Sequence, residues 1–460
     1  MIKNKNKFIK TTVWLVVFSM IVPFFSGCSE RSSNKYKIDL EIWGVFDDNS
    51  DFGEIVNAYR EANPFINKIV YKKFPVDSYK SEIIDALASG NGPDIFLVNN
   101  AWMPYYEDKV APAPNYILNE QSFRKNFVDV VADDFIGKSG EIYGAPLSVD
   151  SLALYYNKDL LNASGITSPP ATWSELLDDS KKITKVNEFG DITHSGIALG
   201  TAYNINRSTD IIDLLMFQQG AQMPTKNEIR FKPDYNIGES VLAFYTQFAR
   251  SSSPAYSWNK QMHYSIDAFY EGDLAMMINY SWHIKTIQNK NAKLNFAIAP
   301  IPQISKENPV NYANYWSFVV NKNKKIKQLN EKRPINNEVR IGEAWQFLKF
   351  LTFKNDGSFL TMNMKSKKVK KYPVSIDPAD VYLKRTGKPA ARRDLVEKQK
   401  TDPILGAFAY GNLIAKTWYK KDSNLIETIW AEIIDGINNG NITPSQAFQL
   451  VISRINQVNK

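Results

Sequence analysis

Residues 37–98 alternate between two hydrophobic periods, and that alternation restricts the possible folds more than any other feature of the 460-residue chain. In Lys37–Trp43, Ile38, Leu40 and Ile42 alternate with Asp39 and Glu41, which is the period-2 pattern of a strand. Over Asp51–Asn63 the period lengthens: Phe52, Ile55, Val56, Tyr59 and Ala62 share one helical face, with Asp51 and Glu54 placed to form a capping box before Asn63-Pro64 ends the helix. Lys68–Phe74 reads as a strand, Asp77–Ala88 as a helix closed by Ser89-Gly90, and Pro93–Val98 as a short buried strand. Strand, helix, strand, helix, strand implies a largely parallel sheet with helices on its faces, in which ligands collect at the carboxyl ends of strands. That edge carries Trp43, Phe46, Asp47, Asn99, Asn100 and Trp102.

The remaining chain keeps the same style. Thr172-Trp173-Ser174-Glu175 is a capping box, Thr209–Gln219 and Ile237–Arg250 read as helices, and Leu274–Ile278 as a strand. Helices then dominate at Glu343–Phe353, Pro403–Tyr419 and Asn424–Ile437, and Thr443-Pro444 opens a last one. A nucleic-acid binder would be expected to carry a basic stripe. Here the one dense basic stretch is Asn321–Arg340, which reads as a solvated connector. No metal-ligand spacing links His194, His263 and His283, and neither a G-x-S-x-G elbow nor a P-loop is present, so no cofactor is expected. Adjacent carboxylates at Asp133-Asp134 and Asp178-Asp179 point apart and suit surface charge better than glycoside hydrolysis.

The N-terminus carries Lys3, Lys5, Lys7 and Lys10, an apolar run from Val13 to Phe25, and small residues leading to Cys28. A basic region, a short apolar region and a small-residue cleavage zone describe a secretory signal over residues 1–27, too short and too interrupted for a membrane span; an uncleaved signal anchor with an incidental cysteine is the other reading. Phe25-Ser26-Gly27-Cys28 resembles the lipobox of bacterial lipoproteins, with Phe25 in place of the usual aliphatic residue. The resemblance implies acylation of Cys28 (with palmitate among the chains), a polar tether over residues 28–36, and a lipid-anchored protein outside the cytoplasm. Loss of the four signal lysines would lower the formal net charge from +8 to +4. Cys28 is the one cysteine, so packing and not a disulfide must stabilise the fold.

Three segments resemble the extracellular solute-binding proteins of ABC importers, in particular the carbohydrate-binding, maltose-binding-protein-like group (family 1). They are Ala86-Leu87-Ala88-Ser89-Gly90-Asn91-Gly92-Pro93-Asp94-Ile95-Phe96, then Gly140-Glu141-Ile142-Tyr143-Gly144-Ala145-Pro146 running on to Tyr155-Tyr156-Asn157-Lys158-Asp159-Leu160, and Phe269-Tyr270-Glu271-Gly272-Asp273-Leu274-Ala275-Met276-Met277. The resemblance implies a two-lobed periplasmic-binding-protein-like α/β fold, each lobe a mostly parallel sheet flanked by helices, with the ligand cleft between lobes. On that reading residues 37–148 and 298–354 form the N-lobe and residues 149–297 and 355–460 the C-lobe. The chain crosses between them near Ser148–Asp150 and Phe296–Gln303. It also implies a monomer that binds a sugar or oligosaccharide by hinge closure and hands it to an ABC permease, with no enzymatic activity and no nucleic-acid partner. A sugar-binding sensor or adhesin, and a secreted glycoside hydrolase, are the alternatives.

A sugar ring presents apolar C–H faces and a fringe of hydroxyls, so its site calls for aromatic platforms and short amides and carboxylates. Trp282 follows the Leu274–Ile278 strand at the place where the resembling proteins carry a platform. Tyr315 and Trp316, flanked by Asn311 and Asn314, form a second candidate, and Trp43 and Trp102 two more. Asp150 matches a family position where a carboxylate can bind sugar hydroxyls; its other reading is a hinge turn or helix cap. Asp47, Asn99, Asn100 and Asn204 complete the expected ligand set, and Asn206 and Arg207 share the polar loop of Asn204. The family's maltose binders carry an Asp-Arg pair after the PDIF strand where this chain has Ala101-Trp102, so a maltodextrin preference does not follow.

Overall fold

The computed structural model describes residues 36–326 and 335–460, so Cys28, the signal segment and the tether up to residue 35 lie outside the described residues. The expected alternation is present: β1 (Ile38–Gly44), a helix (Asn49–Ala62), β2 (Ile66–Lys73), a helix (Val76–Ser89) and β3 (Ile95–Asn99). Gly90 ends the second helix in the left-handed region at φ 72°, where its N–H reaches the carbonyls of Ala86 and Leu87. The first helix starts two residues earlier than the sequence suggests, because the Asp51 carboxylate accepts from the Asp48 N–H at 2.8 Å.

Two five-stranded sheets organise the molecule. Short β4 (Gly144–Ala145) and, much later, β11 (Trp316–Val320) complete the first, in the order β2-β1-β3-β11-β4. The second contains β5 (Ala153–Asn157), β6 (Lys185–Val186), β7 (Ile192–Ile197), β8 (Leu274–Asn279) and β9 (Phe296–Pro300), in the order β6-β7-β8-β5-β9. Both sheets are mixed. β1 runs parallel to β2 and β3 while β11 opposes its neighbours, and in the second sheet only β7 and β8 run parallel. Each sheet has its own hydrophobic core.

The chain crosses between the two bodies three times. Ser148–Ser151 leads from β4 to β5. The return begins only after Ile301, since β9 pairs with β5 along its whole length; the expected boundary at residues 297/298 therefore falls inside a strand. β10 (Asn311–Tyr312) lies in this return and pairs with the third crossing, Ala415–Lys416. Asn311 Nδ2 donates to the Leu152 carbonyl at 2.8 Å, and Asn412 Nδ2 to the Val149 carbonyl at 2.6 Å, which ties the three crossings together. A Cβ on Gly411 would lie 2.4 Å from Ser151 Oγ and 2.5 Å from Asn311 Nδ2, so only glycine lets this helix end pack against the crossings.

Three further expectations change. Residues 355–400 do not join the second body: Phe359, Tyr382, Leu383, Leu395 and Val396 are buried in the first core. The helix expected over Pro403–Tyr419 is Gly406–Leu413, cut short because Ala415 and Lys416 are drawn into pairing with β10. Within Asn321–Arg340, Lys324 and Arg340 are not merely solvated: they pair with buried Asp94 at 2.8 and 3.5 Å.

Candidate functional site

A cavity of about 860 Å³ opens between the two bodies beside the crossings. Eight of the ten residues expected from sequence line it: Asp47, Asn99, Asn100, Trp102, Asp150, Trp282, Tyr315 and Trp316.

The first body contributes an aromatic wall. Trp316, at the start of β11, meets Phe46 edge-on at 5.3 Å and Trp102 at 4.9 Å. Tyr315 lines the same wall but is no platform: it is 3% exposed, and its hydroxyl is spent on the Asp134 carboxylate at 2.8 Å. Asn99 and Asn100 shape the floor. Asn99 Nδ2 donates to Asn314 Oδ1 at 2.8 Å while its Oδ1 accepts from the Ala101 N–H, and Asn100 bridges Asp134 and the Tyr315 N–H. Asp47 is buried and held by the Tyr382 hydroxyl at 3.0 Å and Lys388 Nζ at 2.5 Å.

Trp282 forms the facing wall. It is 40% exposed and stacks on buried Tyr280 with centroids 4.4 Å apart, and Tyr280 is fixed by its hydroxyl donating to Asp210 at 2.8 Å. The exposed ring is thus braced from behind by a fixed neighbour.

Asp150 sits where the first crossing enters the cavity, 6% exposed. Its Oδ2 accepts from the Ser281 N–H at 3.0 Å and Oγ–H at 2.6 Å, while Oδ1 has no partner. Burial pushes this carboxyl up to about 7, against the lowering effect of the Ser281 bonds. A buried polar atom without a hydrogen-bond partner is costly, and this oxygen is the unsatisfied one of the pair.

Two expected residues lie elsewhere. Trp43 shares the face of Glu41, two residues back on β1, donates to it at 2.7 Å and packs on Phe74 at 4.4 Å, which turns it away from the cavity. Asn204 is consumed by its own loop: Nδ2 donates to the carbonyls of Asn259 and Met262 at 2.9 and 3.0 Å, and Oδ1 accepts from Trp258 Nε1. The cavity also takes Asp210, Tyr382, Lys388, Lys420 and Glu427, which no motif or periodicity singles out. Arg207, three residues from Asn204, lines it from a left-handed backbone at φ 58°. Neither adjacent acid pair is set up for hydrolysis. Asp178 and Asp179 pair with Lys181 and Lys182 along their helix, and Asp134 takes hydrogen bonds from Thr417, Tyr315 and Asn100. Among the described residues no group of three or more His, Cys, Asp or Glu side chains could hold a metal ion, and no helix is long and apolar enough to cross a membrane.

Two α/β bodies joined by three crossings, with a mixed aromatic and polar cavity beside the crossings, define a two-lobed solute-binding protein. Residues 44–355 match the model of the bacterial extracellular solute-binding protein family, and the chain belongs to that family. A Brucella abortus sequence named as a binding protein is 28% identical over 133 residues, 29% of this chain; the chain spans only 32% of that relative's length. The maltodextrin-binding protein of Bacillus subtilis is 27% identical over 289 residues, 60% of this chain and 64% of that one. The fold is shared with the cyclic alpha-maltosyl-1,6-maltose binding protein from Arthrobacter globiformis, at a TM-score of 0.69 and 17% identity over 92% of this chain and 99% of that one.

Proposed function

We propose that the chain captures a carbohydrate outside the cytoplasm and presents it to an ABC permease. The observation that carries this reading is the opposed pair of aromatic walls, Trp282 on one body and Trp316 with Trp102 and Phe46 on the other, around the unpartnered Oδ1 of Asp150. Aromatic faces take the C–H face of a sugar ring, and a sugar hydroxyl, which can both donate and accept, supplies the partner that Asp150 Oδ1 lacks. Asp47, Asn99, Asn100 and Tyr315 hold the walls in place. The relatives named for maltodextrin and for a cyclic maltosyl sugar support the class of ligand.

Capture proceeds by hinge closure. A ligand seated on one wall gains its second set of contacts only when the other wall meets it, so binding favours the closed form, which the permease reads. Cys28 anchors the mature protein to the membrane through acyl chains, and the lobes act as one monomer. A thermal-shift screen against mono- and oligosaccharides, polyols, amino acids and peptides tests the ligand class, because a ligand that binds only the native state raises its melting temperature. A saturable shift with one sugar group, with the sugar recovered uncleaved, is the expected result. Shifts with peptides or amino acids alone, or cleavage of the sugar, would overturn it. Replacing Cys28 by serine is expected to move the protein from the membrane to the soluble fraction and abolish palmitate labelling.

A further inference from the structure

Beside Trp282, the second body offers the cavity a group of charges that is left over from the packing. The Arg207 guanidinium lies 5.7 Å from the Trp282 ring centroid. Among the described residues it makes no hydrogen bond and no ion pair within 4 Å; Asp210 and Glu427 act on it only through their charge. Its five N–H donors are therefore uncommitted. Arg207 holds a left-handed backbone without being glycine, a conformation that costs free energy and is found where a side chain must be aimed. Asp210 Oδ2 is already engaged by Tyr280 and Asn314, whereas Glu427 makes no hydrogen bond among the described residues.

The other cations of the cavity are spoken for. Lys388 pairs with Asp47 at 2.5 Å and Lys420 with Asp213 at 2.6 Å, and Lys285 donates to the Thr386 carbonyl at 2.9 Å. The lining holds five carboxylates (Asp47, Asp150, Asp210, Asp402, Glu427) against four cations (Arg207, Lys285, Lys388, Lys420). An anionic ligand would find a single uncommitted cation, itself flanked by the charges of Asp210 and Glu427. A cationic ligand would have to approach Arg207. A hydroxyl both donates and accepts, so adjacent hydroxyls can take from the Arg207 fork and give to Glu427 and to Asp150 Oδ1 at once.

Resting on the carbohydrate reading above, we propose that Arg207 and Glu427 form a selectivity subsite that seats vicinal hydroxyls of an uncharged sugar ring on Trp282 and rejects acidic and phosphorylated sugars. Arg207 acts as the donor fork and Glu427 as both acceptor and anion barrier. Both groups touch the ligand, and neither is needed to hold the fold.

The test is a calorimetric and thermal-shift panel of neutral oligosaccharides, maltotriose among them, each run beside an acidic counterpart (a uronate oligomer or a 6-phosphate). Wild-type protein is expected to respond only to neutral members, and Arg207→Met to lose at least about tenfold in affinity for them. Glu427→Gln is expected to admit the acidic counterpart, raising its affinity about tenfold, because the barrier charge is gone while the geometry remains. A wild-type response to an acidic sugar equal to that for its neutral partner overturns the subsite and leaves the carbohydrate reading standing. So does an Arg207→Met variant that unfolds as wild type does and binds as tightly. A panel in which no sugar of either kind responds overturns both.

Discussion

Asp150→Asn separates binding from stability. The wild-type carboxyl is 6% exposed, receives hydrogen bonds on one oxygen only, and is pushed by burial up to about 7 from an ordinary 3.8. Its folded value lies above its unfolded one, so between those two pH values the folded state holds a proton that the unfolded state has lost. Stability from this group is therefore complete below about pH 4 and is lost as pH rises through about 7. A shift of that size corresponds to at most about 4 kcal/mol. An asparagine carries no charge and keeps Oδ1 to accept from Ser281, so it escapes the penalty. The variant is expected to be more stable than wild type by roughly 2–4 kcal/mol above pH 7, with the gap closing below pH 4. Denaturant unfolding of both proteins at pH 4, 6 and 8 reads this directly. At pH 8 the same variant turns an amide N–H to the cavity where a carboxylate oxygen stood, and sugar affinity there is expected to fall at least about tenfold. A gap that does not change with pH, or a variant less stable than wild type at pH 8, would refute the account of Asp150.

Three other perturbations probe the rest of the molecule. Trp282→Ala removes an exposed ring, so folding should be retained while sugar affinity drops by about 10–100-fold, measured by calorimetry. Lys226 Nζ donates to the carbonyls of Asp134 and of Ile136, the latter at 3.0 Å, and Lys285 donates to that of Thr386; both lysines come from the second body and reach helix C-termini of the first. Each contact is worth about 0.3–2 kcal/mol, so Lys226→Met with Lys285→Met should increase the ligand-free radius of gyration measured by small-angle scattering. Asp94→Asn leaves Arg340, 1% exposed, without its ion-pair partner, and should cost about 3–5 kcal/mol in denaturant unfolding with no change in sugar selectivity.

Local periodicity made the β1–β3 region and most helices legible from sequence, because each period reports a face that the core buries. The family motifs located Trp282 and Asp150. What stayed hidden depended on distant partners. Trp43 ends a well-read strand, yet its pairing with Glu41 and Phe74 fixes the face it takes. Asn204 looked free in a polar loop because Asn259 and Met262, which consume it, lie more than 50 residues on. Lys388, in the loop just past a helix end, and Glu427, within a helix, enter the cavity from segments whose own patterns describe only packing. The segment 355–400 opens with a two-stranded hairpin, Ser358–Met362 against Val369–Pro373, continues in two short helices and carries no local mark of the core it joins; only its burial in the first core assigns it.

The measurement that bears most directly on capture by hinge closure is small-angle scattering of the protein with and without a saturating neutral oligosaccharide, with the sugar analysed afterwards. The account predicts a smaller radius of gyration in the bound state and recovery of the sugar intact. Saturable binding with an unchanged radius, or recovery of a cleaved sugar, would contradict it.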